Sequence, residues 1–233
     1  MKGREKIMDP IRVMDVKESI LQDNDARAEA VRRELREKKV FLLNLMGSPG
    51  AGKTTTLVST IRALRGEFRI GVMEADVDSD VDARAVQEAG AEAIQLHTGG
   101  MCHLDAGMTR EGLSGLVPDG FDLIVIENVG NLVCPAEFDV GQAKRAMILS
   151  MPEGDDKPLK YPLMFEVADI VLLGKIDTAA YFDFDREAFR RNVRLRNPDV
   201  PILPCSARTG EGMEAWYEWL RGEIRAYRKA CEQ

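Results

Sequence analysis

The sequence predicts an α/β fold: a doubly wound, mainly parallel sheet with helices on both faces and one helix ahead of it. Three observations lead there. Residues 47–54 read Gly-Ser-Pro-Gly-Ala-Gly-Lys-Thr and fill every fixed position of G-x-x-x-x-G-K-[ST]. They sit between the apolar run Val40-Phe-Leu-Leu-Asn-Leu-Met46 and a helical stretch from Thr54 to Leu64, the strand–loop–helix setting of a phosphate loop. From residue 40 onward, short apolar runs alternate with amphipathic stretches, as in a parallel sheet covered on both faces. Finally, 233 residues with 45 % hydrophobic content supply one sizeable core.

The elements follow in order. Pro10 to Lys39 is charged and helical in pattern, with Val13, Val16, Ile20, Ala28, Val31 and Leu35 as a rough apolar stripe for the outside of the domain or a partner. Residues 1–37 are therefore taken as a helical extension, and 38–233 as the phosphate-loop domain. Runs at 40–46, 69–75, 93–96, 121–127, 145–150, 163–173 and 200–205 read as strands. Helices are expected near 54–65, 80–89, 106–116, 184–196 and 211–229. The segment from Met151 to Pro162 is the most loop-like, polar enough to be exposed. In such a sheet ligands gather at the carboxyl ends of the strands, so candidates that follow strands should share one rim.

Composition narrows the class. A net charge of −7 and a pI near 5.1 argue against a broad nucleic-acid or membrane surface. No apolar run approaches the ~20 residues that span a bilayer. Met1-Lys-Gly-Arg-Glu-Lys6 leads into no signal-peptide core, so a cytoplasmic location is expected. There, four cysteines are better read as thiols or metal ligands than as disulfides.

The phosphate loop implies its chemistry. Gly47, Gly50 and Gly52 let the backbone curl until its N–H groups point inward. With Pro49, Ala51 and Thr55 they form a nest backed by the positive end of the next helix. Lys53 is expected on the β- and γ-phosphates, and the Thr54 hydroxyl on Mg²⁺. After the second strand, acids occupy every second position from Glu74 to Asp82. Asp76, at the strand's rim, is the candidate for Mg²⁺ or the attacking water. Asp78 or Ser79 would equally serve as a helix cap, and the whole run as a solvated capping face. The strand Phe121–Ile126 ends in Glu127-Asn-Val-Gly130, and an acid at such a tip is the usual second magnesium group. Neither an arginine finger nor a positioned glutamine is evident, so slow intrinsic turnover is expected.

Two late motifs concern the base. Leu172-Leu-Gly-Lys-Ile-Asp177 closes one strand, and Ser206-Ala-Arg-Thr-Gly210 follows the last. Asp177 can accept both N1–H and N2–H of guanine, a donor pair adenine lacks. Lys175 can lay its stem across the base, and the Ala207 N–H beside Ser206 can meet the guanine carbonyl. The substrate is expected to be GTP.

Soft ligands occupy the same rim. Cys102 and His103 follow the 93–96 strand, and Cys134 follows the 121–127 strand. Two thiolates and an imidazole suit Zn²⁺ or Ni²⁺, with a water or a second subunit completing the shell. On residue types alone, small buried cysteines are the competing reading. His97 reads as structural, and Cys205 and Cys231 as non-ligands.

Together the stretches Gly47–Thr54, Thr98-Gly…Cys102-His-Leu-Asp-Ala106, Ile126-Glu-Asn-Val-Gly-Asn-Leu-Val-Cys-Pro-Ala136 and Glu153-Gly-Asp-Asp-Lys-Pro-Leu-Lys-Tyr-Pro162 resemble the hydrogenase nickel-incorporation GTPases, the HypB family. These are phosphate-loop GTPases of the SIMIBI class. The resemblance runs from about residue 30 to the C-terminus. It exceeds that to the urease accessory G protein, which carries Cys-Pro-His where this chain has Cys102-His103. The resemblance implies that Cys102, His103 and Cys134 hold nickel or zinc at a nucleotide-dependent homodimer interface. It implies as partners a small zinc-containing nickel chaperone and the hydrogenase large-subunit precursor. Two departures stand out. No Cys precedes 102 and no His precedes 97, so tight nickel storage is not expected. Gly174 replaces the usual Asn of the guanine motif, which predicts weaker nucleotide binding with guanine preference kept. The rival readings are a urease-type accessory GTPase, a phosphate-loop kinase and a metal-binding protein that holds nucleotide structurally.

Overall fold

A computed structural model describes residues 16–76, 81–116 and 118–233; the side chains of 16–20, 76, 81 and 82 are outside that description. The candidate roles of Asp76, Asp78, Ser79 and Asp82 therefore lie outside it, as do those of Val13, Val16 and Ile20.

Among the described residues, seven strands form one sheet in the order β3-β2-β4-β1-β5-β6-β7, and each pairs with its neighbours in parallel. They are β1 (Phe41–Gly47), β2 (Ile70–Asp76), β3 (Glu92–His97), β4 (Leu123–Glu127), β5 (Lys144–Ser150), β6 (Ile170–Gly174) and β7 (Ile202–Pro204). The helices are α1 (Val16–Glu37), α2 (Lys53–Leu64), α3 (Val81–Ala89), α4 (Ala106–Leu116), α5 (Cys134–Glu137), α6 (Lys157–Lys160), α7 (Pro162–Glu166), α8 (Arg186–Arg194) and α9 (Met213–Ala230). All seven residues of β1 are buried, because helices cover both faces. Leu43 and Leu45 pack with Leu57 and Ile61 of α2 and Trp216 and Leu220 of α9. On the opposite face, Leu42 meets Val31 and Leu35 of α1 and Leu113 of α4, while Met46 meets Met164 and Phe165 of α7.

The chain leaves β1 toward β2 on one side and returns to its other side with β5. That reversal makes the carboxyl end of β1 the switch point where a crevice opens.

The stripe of α1 is half of a contact. Ala28, Val31 and Leu35 are fully buried, and Asn24 ties the helix down. Its amide donates to the Asp139 carbonyl at 2.8 Å and accepts from the Ala106 N–H at 2.9 Å.

Two expectations need correction. The run 163–173 is not one strand: its first part is helix α7, and β6 begins only at Ile170. Pro162 fits the first turn of a helix, and burial of Met164 and Phe165 fills the face that would have shown a polar period. Nor is 151–162 an exposed loop. It holds a 3₁₀ turn at Met151–Glu153 and helix α6, with Met151 and Pro158 buried. Glu153 closes the turn by accepting from the Ser150 N–H and Oγ–H at 2.7 and 2.8 Å.

Candidate functional site

The phosphate loop joins β1 to α2 through three glycines with positive φ: 156° at Gly47, 73° at Gly50 and 102° at Gly52. Gly52 directly precedes α2 and has no side chain to occupy the helix's N-terminal N–H groups. A cleft of about 790 Å³ opens over this loop. Pro49, Gly50, Gly52, Lys53, Thr54, Thr55 and Lys175 line it. Lys53 is buried, its ammonium donating to the Ser48 carbonyl at 3.3 Å. Thr54 Oγ1 donates to Glu127 Oε1 at 2.8 Å, and Glu127 is buried at the tip of β4. A hydroxyl and a carboxylate at this spacing are hard oxygen donors of the kind magnesium takes.

A second cavity of about 290 Å³ adjoins the first and brings together Ala51, Lys175, Asp177, Ser206 and Ala207 with Gly174. Lys175 adopts a left-handed conformation, φ 57°, and its ammonium donates to the Gly50 carbonyl at 2.6 Å. That bond links the two loops where Gly174 offers no side chain. Ser206 is buried and held by its N–H to the Glu211 carbonyl at 2.8 Å.

Cys102, His103 and Cys134 also converge, their ligand atoms all within 4.8 Å of one another. The two sulfurs are 2.9 Å apart. His103 stacks on Phe138 with ring centroids 3.8 Å apart. Burial pushes the His103 imidazole below its usual value, against the opposing carboxylates of Asp105 and Glu137. The contact with Cys102, then burial, pushes the Cys134 thiol up. The residues fit a soft divalent ion, because a neutral imidazole and two adjacent sulfurs are its usual donors. Cys205 is buried, its thiol raised to about 11 by desolvation, and neither it nor Cys231 and His97 joins the cluster.

The soft-ligand loop touches the phosphate loop. The Asn131 N–H donates to the Gly47 carbonyl at 3.1 Å. Gly130 lies so close to Pro49 that a Cβ there would be 2.8 Å from the Pro49 nitrogen. Buried Asn128 accepts from the Leu104 N–H at 3.4 Å and donates to Asn44 Oδ1 at 3.1 Å, joining the Cys102 loop to β1.

Several roles here escape sequence reasoning, among them that of Glu74, which the sequence offers only as the first of an acid run. Glu74 and Gln95 line the cleft floor, and Glu153 reaches across from the turn after β5 to accept from Ser48 Oγ of the phosphate loop. The available signal is a polar residue interrupting an apolar strand, as Asn44 does in β1 and Gln95 in β3.

Comparison with known proteins agrees with this geometry. Residues 41–204 match the family described as CobW/HypB/UreG, nucleotide-binding domain. The hydrogenase maturation factor HypB of Rhizobium leguminosarum bv. viciae is 47 % identical over 219 residues, covering 94 % of this chain and 73 % of that protein. The crystal structure of HypB from Archaeoglobus fulgidus superposes with a TM-score of 0.82 at 39 % identity, over 88 % of this chain and 100 % of the other. That of HypB from Helicobacter pylori in complex with nickel gives 0.83 at 34 % identity, over 88 % and 96 %. The phosphate loop, the parallel sheet and the Cys/His cluster thus meet in one conclusion: the chain belongs to the CobW/HypB/UreG family and, within it, to the HypB hydrogenase maturation factors.

Proposed function

We propose that this protein is a magnesium-dependent GTPase that delivers nickel to a hydrogenase large subunit, acting as a homodimer with the metal near its two-fold axis. The observation that carries the reading is the shared wall between the two sites: Asn131 on Gly47 and Gly130 on Pro49. A phosphate loop that moves on hydrolysis would carry the Cys134 loop with it.

In this reading the nest of Gly47, Gly50 and Gly52 cradles the phosphates, with Lys53 on the terminal pair. Thr54, Glu127 and Asp76 would hold Mg²⁺, which when bound neutralises charge on the transferring phosphoryl group. Asp177 selects guanine, Lys175 covers the base, and the Ser206–Ala207 loop meets the guanine carbonyl. Cys102, His103 and Cys134 take the nickel, or zinc in its place, and three ligands per chain leave a position that a symmetric copy can fill. The small zinc-containing chaperone would supply the metal and the hydrogenase precursor receive it, in the cytoplasm. Residues 1–37 serve as an extension of the GTPase domain.

Turnover of GTP against ATP, with and without nickel, tests the reading on wild type and Lys53→Ala. Slow, magnesium-dependent hydrolysis of GTP that is lost in Lys53→Ala is expected. Equal use of ATP, or comparable turnover in the variant, would reject it. Sedimentation of Cys102→Ala and Cys134→Ala with nickel and a non-hydrolysable GTP analogue tests the metal. Unchanged metal stoichiometry in both removes the site, and metal binding without effect on dimerisation removes the coupling.

A further inference from the structure

The cleft floor carries a side chain to which the proposed chemistry gives no task. Gln95 on β3 pairs in register with Glu74 on β2, which pairs in register with Glu127 on β4. Parallel strands in register present such residues on one face, so Glu127, Glu74 and Gln95 form a row across three strands. Glu74 and Gln95 line the same cleft as Lys53 and Thr54. Both the carboxamide nitrogen and oxygen of Gln95 are shut off from solvent, and neither has a hydrogen-bond partner among the described residues.

A primary amide brings two donors and an acceptor with two lone pairs, and burying it unpaired costs the hydration of all of them. A leucine or methionine would fill this place without that cost. Val58 and Ala85, which line the same cleft, have apolar side chains that can offer it nothing. Among the described residues nothing meets this amide, and the cleft it lines is where an incoming group can. Its chemistry suits a hydrated cation with a polyphosphate: neutral, it neither repels phosphate nor adds to the charge of the two carboxylates. Its oxygen can accept from a metal-bound water while its nitrogen donates to a phosphate or carboxylate oxygen.

We propose that Gln95 is a positioning residue for the magnesium–nucleotide complex, its carboxamide completed by the hydrated complex over the Glu74–Glu127 row. The proposal rests on the nucleotide reading above. It assigns Gln95 no contact with the reacting atoms.

The test uses the full chain with Gln95→Leu and, should leucine prevent folding, Gln95→Met. A fluorescent non-hydrolysable GTP analogue is titrated with magnesium and with EDTA, and melting is followed without nucleotide. The variants should melt at or above the wild-type temperature, because the unpaired amide is gone. Their affinity for the analogue should fall about tenfold with magnesium and stay unchanged with EDTA. In turnover the loss should fall mainly on KM for the magnesium nucleotide. Wild-type affinity and wild-type magnesium dependence in both variants would overturn the proposal. Equal weakening with and without magnesium would overturn it too, by pointing to a damaged loop. Lys53→Ala separates the two levels: if it binds the analogue as the wild type does, the nucleotide reading itself falls. If it loses binding while Gln95→Leu keeps it, only the role of Gln95 falls.

Discussion

Gly130 shows how much can hang on a missing methyl group. A Cβ there would lie 2.8 Å from the nitrogen and 2.9 Å from the Cα of Pro49, and backbone cannot swing aside as a side chain can. Gly130→Ala is therefore expected to push on the phosphate loop, costing about 1–3 kcal/mol in thermal or urea unfolding. It should weaken nucleotide binding measured by calorimetry. Gly66→Ala, where nothing lies within 4 Å, is the matched control and should leave binding alone. Gly174 is the opposite case. A Cβ there meets only ordinary contacts, Ile148 Cγ2 at 3.5 Å and the Ala51 carbonyl oxygen at 3.7 Å. Gly174→Asn should place an amide where it can donate to the phosphate loop and reinforce the bond from Lys175 to Gly50. A gain on the order of 1 kcal/mol, about fivefold in GTP affinity, is expected from one hydrogen bond. No gain, or a loss, would mean that Lys175 alone supplies all the tie this loop needs.

Among the elements, α1 tests the difference between an appendage and a structural part. Asn24 serves two backbone groups from separate segments, the Asp139 carbonyl and the Ala106 N–H that opens α4. Asn24→Ala should cost about 1–3 kcal/mol in urea unfolding, because the Ala106 N–H is left buried and the Asp139 carbonyl half-buried without it. A change below a few tenths would mean that water reaches them. This bond also marks what the sequence could not tell. The strands β1, β2 and β4 and the helices α2, α4 and α9 were legible, because an apolar run or a 3.6-residue stripe is local. So was the convergence of Lys53, Thr54 and Glu127, and of Cys102, His103 and Cys134, because each follows a strand of one parallel sheet. Helix α7 was not, since Leu163-Met-Phe165 is apolar throughout and shows no period. The places of Gln95, Asn128 and Glu153 were not either, nor was the burial of Glu74, which reads in the sequence only as the first of an alternating acid run. Their places are set by register and by partners far away in sequence, and a side chain's type carries no record of either.

At the scale of the whole molecule, two sites sit on one rim because the strands run parallel and their carboxyl ends share one edge of the sheet. The phosphate loop follows β1, the Cys102 loop follows β3 and the Cys134 loop follows β4, so the three leave the sheet on the same side. Any coupling between them is reciprocal by thermodynamic linkage: if the GTP analogue tightens nickel binding, nickel must tighten the analogue by the same factor. Paired calorimetric titrations in both orders check this, and unequal factors would show that a third state, such as dimer, had gone uncounted. The same topology bears on how the protein is made. The strand that carries the phosphate loop leaves the ribosome first, yet both its neighbours come much later: Phe41 pairs with Leu123, and Gly47 with Ile148. Until those strands arrive, β1 has no ladder on either side, and of the helices that pack on it only α1 and α2 have been made. Chains halted before residue 120 should therefore remain protease-sensitive and fail to hold GTP, whereas chains released after α9 is complete should hold it. On this expectation a nascent chain is blind to its nucleotide until most of it has been synthesised, and its first strand depends during that interval on the cover of α1 and α2 alone.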